Sequence, residues 1–587
     1  MRKDKETIED QPLDLATKYY DEFREWLNTL RPYHTERFNR NYKQYTAYAT
    51  TMGTEAKVSD PAASELIERV VQRLFERDPK FSVDSRGQNI PKEIKNIIVG
   101  AVEYMWSSPE AVEVSGTMRS RLQVIGREFL ITGNVAVETF YNSESDLPDV
   151  QLIPIEDIIF DPAKTLKSSK VLYVRKFVSL DYLKDNQEVT TKDGLKKGLF
   201  KNIDKVLLQL KDFEQKTNDS TDNQIMRSGS DNYSAKRDPI QLITRYDGKK
   251  VCRFIVGQDS EITIQEFENE ILEDDPIDVA MDIEVAKEPY AFGLLDFLSG
   301  NVKLTDLFTS QLADYGSKVL NPPLFVDPSL APVNRATLRN AWRLGGLVFA
   351  PPNQAEHKPM PPLGSFPFEM LNYLQQRRES SSGIGAYLGG VPNQQSDKTQ
   401  GTKGGILALQ SEAVTPVKDR QQKLEEAIIM PVINKWVKMK GALMQPDEIQ
   451  DVLISGASPK WVKLTKGMLT GKMTIYDLLT AGLIQMEEVE ELEAYMLEQR
   501  IFPDEEMVID TDWLISVETG SMAEANREQD LQNFDQWVTS NLEYGIPMDM
   551  QKIAIEKGMR AGVKDPESYF IKQPMNPMAQ PMGQSAI

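Results

Sequence analysis

The sequence contains very few of the residues on which many enzymes and metal sites depend. Cys252 is its only cysteine, and His34 and His357 are its only histidines. A single cysteine excludes an internal disulfide and a cysteine-rich zinc site. A Ser-His-Asp triad would need one of the two histidines, which lie far apart in sequence. We therefore predict no catalytic residues, no metal site and no cofactor. A Mg²⁺ site made only of carboxylates stays open, because it needs no histidine.

Long apolar runs are also missing. The stretch Asn96–Trp106 is among the longest, and it falls well short of the roughly 20 residues that cross a bilayer. The first residues carry Arg2, Lys3 and Lys5 without an apolar segment after them, so they do not resemble a secretory signal. These two observations predict a protein without a membrane span that is made in the cytoplasm.

Basic residues are outnumbered by acidic ones, and the formal net charge is −21. Tight binding of nucleic acid needs Lys and Arg that displace counterions from phosphates. The balance therefore argues against a protein that grips DNA, but not against one that surrounds DNA and lets it slide. Acidic residues are concentrated between Glu487 and Asp512. This stretch is interpreted either as a solvated helix face followed by an acidic loop, or as a negatively charged lining or rim.

The 587 residues predict an α+β, helix-rich fold. Apolar residues recur at helical spacing in the first part of the chain, for example along Leu13–Tyr33 and Pro61–Phe81. A further helix is predicted to end at Gly133, which suits a helix C-cap. After Gly133 the apolar period changes from 3.6 to 2, which predicts strands. The predicted strands are Asn134–Tyr141, Asp149–Ile155, Lys170–Phe177 and Glu261–Glu268, with a hairpin turn at Asp247–Gly248.

Two further segments lie between these strands. Ser179–Phe213 is predicted to be helix-rich. It leads into a polar segment, about residues 213–238, that lacks periodicity. Such a composition indicates a surface insertion or a disordered loop.

The middle of the chain has an unusual order of elements. A long helix is predicted over Leu294–Leu320, and a second helix over Phe368–Gly383. Prolines frame a small unit between them, with strands at Leu324–Val326 and Gly346–Ala350 around a short helix, Val333–Leu344. A polar, Gly-rich loop follows the second helix and precedes another very long helix. Loops of this length inside a compact domain are uncommon and are usually functional or disordered.

Three familiar kinds of site fit the sequence poorly. A phosphate-binding P-loop needs Ser or Thr after its Lys and a strand before it, whereas Lys403 precedes Gly404 in a loop that follows a helix. The glycines of residues 383–389 miss the dinucleotide-binding spacing. Asp157 and Asp161 could hold Mg²⁺, but the prolines beside them favour turn-forming and capping roles.

Taken together, these segments resemble the portal protein, or head–tail connector, of tailed double-stranded-DNA bacteriophages. The resemblance covers most of the chain and rests on the order of several stretches, since no one of them is diagnostic. They are ERDPKFSV, GREFLITGNVAVETFYN followed by VQLIPIEDIIFDP, the helix–tip–helix of Leu294–Gly383, and SSSGIGAYLGG followed by TKGGILALQSEA.

The resemblance implies a ring, usually of twelve subunits, at one vertex of the capsid. It implies an N-terminal wing over residues 1–293, a stem helix over 294–320, a clip over 321–364 and a second stem helix over 365–386. After the second stem helix, the resemblance implies a tunnel loop over 387–405 and a long wing helix over 406–440. It further implies wing elements over 441–520, and crown helices with a disordered tail over 521–587.

The resemblance also implies sites and partners. The tunnel loop would face double-stranded DNA without reading its sequence, through Asn393, Gln394, Gln395, Lys398, Gln400 and Lys403. The clip would bind partners through Asp327, Arg335, Arg339 and Arg343. Those partners would be the large subunit of terminase and a head–tail adaptor or tail protein, and the ring would also contact major capsid and scaffolding proteins. The protein would then be a non-enzymatic component of the virion, assembled in the host cytoplasm.

Several alternatives stay open at this stage. The Gly-rich loop could be a surface loop without DNA contact, and the arginines of the tip could form a solvated helix face. The chain could also be another structural or adaptor protein of a virion, or a DNA-processing enzyme that uses carboxylate-bound Mg²⁺.

Overall fold

The computed structural model describes the following residues: 15–47, 56–86, 90, 92–108, 116–142, 144–187, 189–190, 196–197, 199–206, 240–256, 261–272, 274–320, 324–326, 347–349, 363–382, 416–445, 448–454, 460–474, 477, 480, 507–517, 525–544, 550, 553–554 and 557–558. The chain divides into two compact units. The first contains residues 1–75 and 110–439, and the second contains residues 76–109 and 440–587.

The first unit contains most of the described helices. They are α1 (Leu15–Pro32), which continues through a π turn (Tyr33–Phe38) into α2 (Asn39–Tyr45), then α3 (Ala62–Leu74), α5 (Met118–Thr132), α6 (Leu180–Asp185), α7 (Leu294–Leu320), α8 (Phe366–Ser382) and α9 (residues 416–443, with a π turn at Glu425–Ile429). The last residues of α9 fall in the second unit.

Strands of the first unit form two antiparallel sheets and two short pairs. They are β2 (Asn134–Asn142), β3 (Leu147–Ile153), β4 (Ile158–Phe160), β5 (Val171–Val178), β6 (Val189–Thr190), β7 (Lys196–Lys197), β8 (Ile240–Asp247), β9 (Lys250–Ile255), β10 (Ile262–Glu268), β11 (Ile277–Met281), β12 (Leu324–Val326) and β13 (Leu347–Phe349). One sheet has the order β10-β9-β8-β5-β4 and the other has β11-β2-β3. The pair β6–β7 is antiparallel, whereas β12 and β13 pair in parallel.

The main core of the first unit lies between α1 and the larger sheet. Phe23 and Leu30 of α1 pack with Phe160, Tyr173 and other buried strand residues. Both α1 residues belong to the apolar stripe predicted from the sequence, although Leu15 at the start of that stripe is half exposed. Because the stripe buries one helix face against the sheet, the helix and the strands stabilise each other.

Most of the predicted strands and turns in this unit are confirmed. β2, β5 and β10 begin or end within a residue of the predicted bounds. Gly133 ends α5 in the left-handed region with φ of 78°, and Gly248 has φ of 58° in the predicted hairpin turn. Both positions favour glycine because it has no Cβ.

The helix-rich prediction for Ser179–Phe213 is confirmed only in part, because the described residues of that segment are helical over Leu180–Asp185 and again over residues 203–206. Ser179 caps α6, but this helix ends after six residues at Asp185. The short pair β6–β7 follows it. Residues 186–198 contain Thr and Gly residues and few apolar residues, so no apolar face is available to extend the first helix. Helical backbone resumes at residues 203–206, where Ile203 and Val206 are buried.

The second unit consists of short strand pairs and helices. Its elements are β1 (Phe81–Arg86), α4 (Lys92–Ser107), β14 (Gln450–Ile454), β15 (Lys460–Leu464), α10 (Lys466–Thr470), β16 (Lys472–Thr474), β17 (Met507–Asp510), β18 (Asp512–Val517) and α11 (Ala525–Glu543). The antiparallel pairs are β1–β18, β14–β15 and β16–β17. The strands and short helices predicted for 441–520 and the helix predicted after residue 521 are thus present among the described residues. The tail after residue 558 lies outside them.

Candidate functional site

The central helices α7 and α8 carry the region that the sequence singled out. α7 has the predicted bounds, Leu294–Leu320, and α8 spans Phe366–Ser382, close to the predicted second helix. The predicted strands between them are β12 and β13. The predicted short helix Val333–Leu344 and the clip residues Asp327, Arg335, Arg339 and Arg343 lie outside the described residues.

The first turn of α7 is held by a buried carboxylate. Asp296 accepts a hydrogen bond from the backbone N–H of Gly293 at 2.9 Å, which satisfies a donor at the helix N-terminus. The same carboxylate accepts from Arg37 at 2.7 and 3.0 Å, from Arg40 at 2.9 Å and from Asn41 at 2.9 Å. The Asp296 side chain is only 4% exposed. The start of α7 is therefore tied to the end of the N-terminal helices.

Two glycines allow the start of α7 to lie directly against the end of α5. A Cβ built on Gly293 would lie 2.5 Å from the backbone nitrogen of Gly133, and a Cβ on Gly133 would clash with the backbone of Phe292 and Gly293. Asn134 strengthens the junction, since its side chain donates to the carbonyl of Ala291 at 3.0 Å and accepts from the Ala291 N–H at 2.9 Å. This contact fixes where α7 leaves the sheets.

An extended segment, residues 56–60, lies along α7, and we call it the strap. α7 presents polar side chains to it at every fourth position. Asp314 accepts from the N–H of Ala56 at 2.6 Å, and Ser310 both accepts from the Val58 N–H and donates to its carbonyl. Asp306 accepts from the Asp60 N–H at 2.8 Å. The spacing of four places all three side chains on one helix face.

The strap also joins α7 to α8. Asp60 forms an ion pair with Arg378 of α8 at 3.1 Å, while its N–H donates to Asp306 of α7. α8 packs on α7 directly as well, since Asn301 donates to the carbonyl of Leu374 at 2.8 Å and Leu374 is buried. Burial raises the pKa of Asp306, and the hydrogen bonds from Asp60 and Ser59 act in the opposite direction. These contacts make α7, α8 and the strap one structural element.

α9, the described helix that follows the Gly-rich segment of the sequence, is docked on the smaller sheet by ion pairs. Arg420 of α9 pairs with Asp282, which follows β11, at 2.9 Å, and both side chains are buried. Lys423 donates to the carbonyl of Asp282 at 2.8 Å. Further along α9, Lys435 pairs with Asp278 of β11 at 2.8 Å. The described structure thus anchors the chain on each side of residues 383–415.

The residues predicted to face DNA all fall within residues 383–415. Asn393, Gln394, Gln395, Lys398, Gln400 and Lys403 lie outside the described residues. Their DNA-facing role therefore stays a prediction.

The carboxylates considered for Mg²⁺ have structural partners. Asp157 pairs with Arg175 at 2.9 Å, and Asp161 accepts from the N–H of Ala163 at 3.0 Å, as in an Asx turn. Among the described residues no group of three or more His, Cys, Asp or Glu is arranged to hold a metal ion. No described helix is long and apolar enough to cross a membrane.

His34, the histidine within the described part of the chain, is packed among aromatic rings. Its Nε2 lies 2.8 Å from the hydroxyl of Tyr290, and its ring stacks on Phe38. Burial lowers the pKa of His34 to about 4, and the charge of Arg175 acts in the same direction. The imidazole is therefore neutral at physiological pH and fills the core.

Because the pKa of His34 is lower in the folded than in the unfolded chain, where it is about 6.5, acid should destabilise the fold through this residue. The unfolded chain takes up the proton first, so stability present above pH 6.5 is lost as the pH falls toward 4. At 1.36 kcal/mol per pKa unit, this amounts to about 3 kcal/mol. The test is unfolding in denaturant between pH 7.5 and 4, for the natural chain and for His34→Gln. As the pH falls over this range, the free energy of unfolding of the natural chain should decrease relative to that of the variant by about 3 kcal/mol.

The comparison with His34→Gln is needed because buried carboxyls act in the opposite direction. Burial raises the pKa of Glu128 to about 7 and that of Asp278 to about 6, so their contribution to stability increases as the pH falls. Both carboxyls are present in the natural chain and in His34→Gln, so their contributions cancel when the two free energies of unfolding are subtracted. A difference that does not change with pH would contradict the assignment of His34 as a buried neutral group.

The strap and the Asp296 cluster were missed by the sequence reasoning. A signal for the strap existed, because Asp306, Ser310 and Asp314 recur at intervals of four along α7. Asp296 gave no comparable signal, since its partners Arg37 and Arg40 are more than 250 positions away.

Comparison with known proteins gives matches of shape only. No protein-family model and no curated protein matches this chain. Among solved structures, it is similar to a chain in the neck of an empty gene transfer agent (GTA) particle computed with C6 symmetry, with 8% identity and a TM-score of 0.34, over 68% of this chain and 81% of that one. A chain from the neck of the native particle computed with C12 symmetry has 8% sequence identity and a TM-score of 0.33. The match covers 68% of this chain and 81% of that one.

A chain from the virion of the native gene transfer agent particle gives 8% identity and a TM-score of 0.32, over 68% of this chain and 86% of that one. TM-scores of this size do not establish a shared fold.

Proposed function

We propose that this chain is a portal-type subunit of a tailed-phage-like virion. Copies of it form a ring at one capsid vertex, and double-stranded DNA passes through the ring during packaging and ejection. The ring binds a terminase motor and later an adaptor or tail protein through the segment between α7 and α8. It has no catalytic activity of its own and holds no cofactor.

The observation that carries this proposal is the arrangement around α7 and α8. α7 begins at the junction with α5 and the sheets, the strand pair β12–β13 follows it, and α8 packs back on α7. α9 is then ion-paired to the end of β11. The order of long helix, small strand pair and returning helix is one of the features on which the resemblance to portal proteins rests.

Charge is the second support for the proposal. The net charge of −21 suits a channel from which DNA must be released, since repulsion of phosphates prevents tight binding. The two lysines of the Gly-rich segment, Lys398 and Lys403, would be repeated around a ring. They would hold phosphates weakly and without reading the sequence.

Replacing Asn393–Thr402 with a Gly-Ser linker of equal length tests this function. We expect rings of unchanged thermal stability, because changes in a polar loop enter stability only through a slowly varying closure entropy. Particles assembled with this variant should package or retain DNA poorly, as measured by nuclease-protected DNA per particle. The matched control replaces the ten residues Asn218–Arg227 of the polar insertion with the same linker and should package normally.

Each other outcome has a definite meaning. Normal packaging by the Asn393–Thr402 variant would make the segment a surface loop, and the proposed DNA contact would be wrong. Failure of the variant to form rings would make the segment a contact between subunits. Metal-dependent DNA cleavage or ATP turnover by the purified chain would contradict a non-enzymatic role.

A further inference from the structure

α8 buries very little of its own surface. Among its side chains that the structure describes, Leu374 is the buried one, at 2% exposure. The backbone carbonyl of Leu374 accepts a hydrogen bond from Asn301 of α7 at 2.8 Å. By contrast, the large side chains Phe366, Phe368 and Tyr373 are each at least half exposed. A helix with so little buried apolar surface opens at a lower free-energy cost than the core elements around it.

Arg378 anchors the last turn of α8. It lies four positions after Leu374, and therefore on the same face of the helix, and four positions before the helix ends at Ser382. Its guanidinium donates to the Asp60 carboxylate at 3.1 Å, and the two side chains are 16% and 28% exposed. Water and salt screen such a half-buried pair less than a surface pair. The contact therefore holds the end of the helix more firmly than an exposed ion pair would.

Asp60 is itself fixed by two other helices. Its backbone N–H donates to Asp306 of α7 at 2.8 Å, and one of its carboxylate oxygens accepts from the N–H of Ala62 at 3.1 Å. Because Ala62 begins α3, this oxygen satisfies a backbone donor that has no partner within the helix. The other carboxylate oxygen accepts from Arg378. α3, α7 and α8 are therefore joined at this residue.

Arg378 also compensates the charge of two neighbouring carboxylates. Burial raises the pKa of Asp306, and the negative charge of Asp60 raises it further. The guanidinium of Arg378, which is bound to Asp60, offsets this repulsion. Without that compensating charge, the carboxylates would repel each other where the strap ends on α7. Arg378 thus stabilises both the last turn of α8 and the end of the strap.

We propose that the Asp60–Arg378 ion pair is a latch that sets the position of the end of α8 relative to α3 and α7. When the latch is closed, the last turn of α8 is fixed to the strap. When it opens, the helix is held at Leu374, one turn earlier, and its end can move. α8 leads into the Gly-rich segment in which we propose DNA contact. The consequence for DNA therefore rests on the proposed function, whereas the latch itself does not.

Replacing Arg378 with glutamine tests the latch on the full-length chain. Backbone hydrogen exchange, measured by mass spectrometry, should become about tenfold faster at residues 378–382, because the last turn loses a hydrogen bond between charged groups. The amides of the strap should also exchange faster, since the carboxylates of Asp60 and Asp306 then repel each other. The control is Arg377→Gln. Arg377 is exposed and contacts Tyr373 of the same helix, so this variant should exchange like the natural chain.

Adding Asp60→Asn to Arg378→Gln separates the two effects of the ion pair. Asparagine keeps an oxygen that can accept from the Ala62 N–H, but it carries no charge. The strap amides should return to the slow exchange of the natural chain, because the repulsion with Asp306 is removed. The end of α8 should still exchange rapidly, since both charges of the latch are missing. Rapid exchange of both regions in the double variant would indicate a general loss of packing and would overturn the latch.

Arg378→Lys provides the test if Arg378→Gln does not fold. Lysine keeps the positive charge but not the planar geometry of the guanidinium. Exchange at residues 378–382 should therefore be faster in Arg378→Lys than in Arg377→Lys. Equal exchange in these two variants would overturn the latch.

The outcomes separate the latch from the proposed function. Exchange is compared between chains in the same assembly state and needs no DNA. Unchanged exchange at residues 378–382 in Arg378→Gln, or equally faster exchange in Arg377→Gln, would overturn the latch and leave the proposed ring unaffected. A natural chain that forms no ring would contradict the proposed function, and exchange would still decide the latch.

Particles assembled with these variants test whether the latch acts on DNA. Those with Arg378→Gln should contain less nuclease-protected DNA per particle than those with Arg377→Gln, because the end of α8 no longer fixes the start of the Gly-rich segment. Equal amounts of protected DNA would overturn the link between the latch and DNA contact.

Discussion

Replacing Gly133 with alanine is expected to lower the free energy of unfolding by about 3 kcal/mol or more. Gly133 has φ of 78°, where an L-residue is strained by roughly 1–2 kcal/mol. Its Cβ would also clash with the backbone at Phe292 and Gly293, and such overpacking adds roughly 1–3 kcal/mol. Chemical denaturation followed by circular dichroism measures the loss.

Gly248→Ala is the matched control for Gly133→Ala. Gly248 also has positive φ, of 58°, but no atom lies within 4 Å of a Cβ built there. This variant should show the backbone strain alone, about 1–2 kcal/mol. Equal losses in the two variants would mean that the junction between α5 and α7 has room for a side chain, contrary to the contact described above.

Replacing Asp296 with alanine is expected to cost about 3–5 kcal/mol. Asp296 pairs with Arg37, whose side chain is 10% exposed, and with Arg40. Removing one partner of a buried ion pair leaves the other charge uncompensated, which is far more costly than the pair itself is worth. The first turn of α7 would also lose the acceptor for the Gly293 N–H. Unfolding in denaturant should show a large decrease in the midpoint concentration.

Asp84→Ala gives the comparison for an exposed ion pair. Asp84 pairs with Lys95 at 3.0 Å, but its side chain is 70% exposed. Exposed ion pairs contribute about 0–1 kcal/mol to stability. The free energy of unfolding of this variant should therefore be close to that of the natural chain. A loss at Asp296 as small as that at Asp84 would show that the cluster does not hold α7 in place.

Local sequence patterns predicted the elements that depend on local periodicity and turn chemistry. The long apolar pattern of α7 gave its bounds, and Asp247–Gly248 gave the hairpin, because each is determined by neighbouring residues. Gly133 was identified as a C-cap for the same reason. Its second role, the close contact with Gly293, was not foreseen because that contact joins segments far apart in the chain.

Contacts between distant segments were the main omission. β11 pairs with β2, and β1 pairs with β18 across most of the chain. Neither pairing has a local signature, since a strand pattern does not identify its partner. The strap is a further case, because residues 56–60 have no periodicity of their own and take their extended form from the side chains of α7.

The candidate site was only partly predicted, again because local patterns do not identify contacts between distant segments. The order of α7, β12, β13 and α8 followed from proline positions and apolar spacing, and the structure has these elements. The resemblance named side chains in the clip and in the Gly-rich segment, which lie outside the described residues. The exposure of Phe297 and Leu304 on α7 was not predicted, because an apolar stripe does not state whether its own chain or another one covers it.

Imaging the purified full-length protein by electron microscopy, with its mass measured in solution, tests the central claim most directly. A subunit of a DNA channel should form closed rings of one size with a central hole wide enough for double-stranded DNA. The mass should be a single multiple of the 66.6 kDa chain. Monomers or dimers across a range of salt and protein concentrations, or assemblies without a central hole, would contradict the proposed portal function.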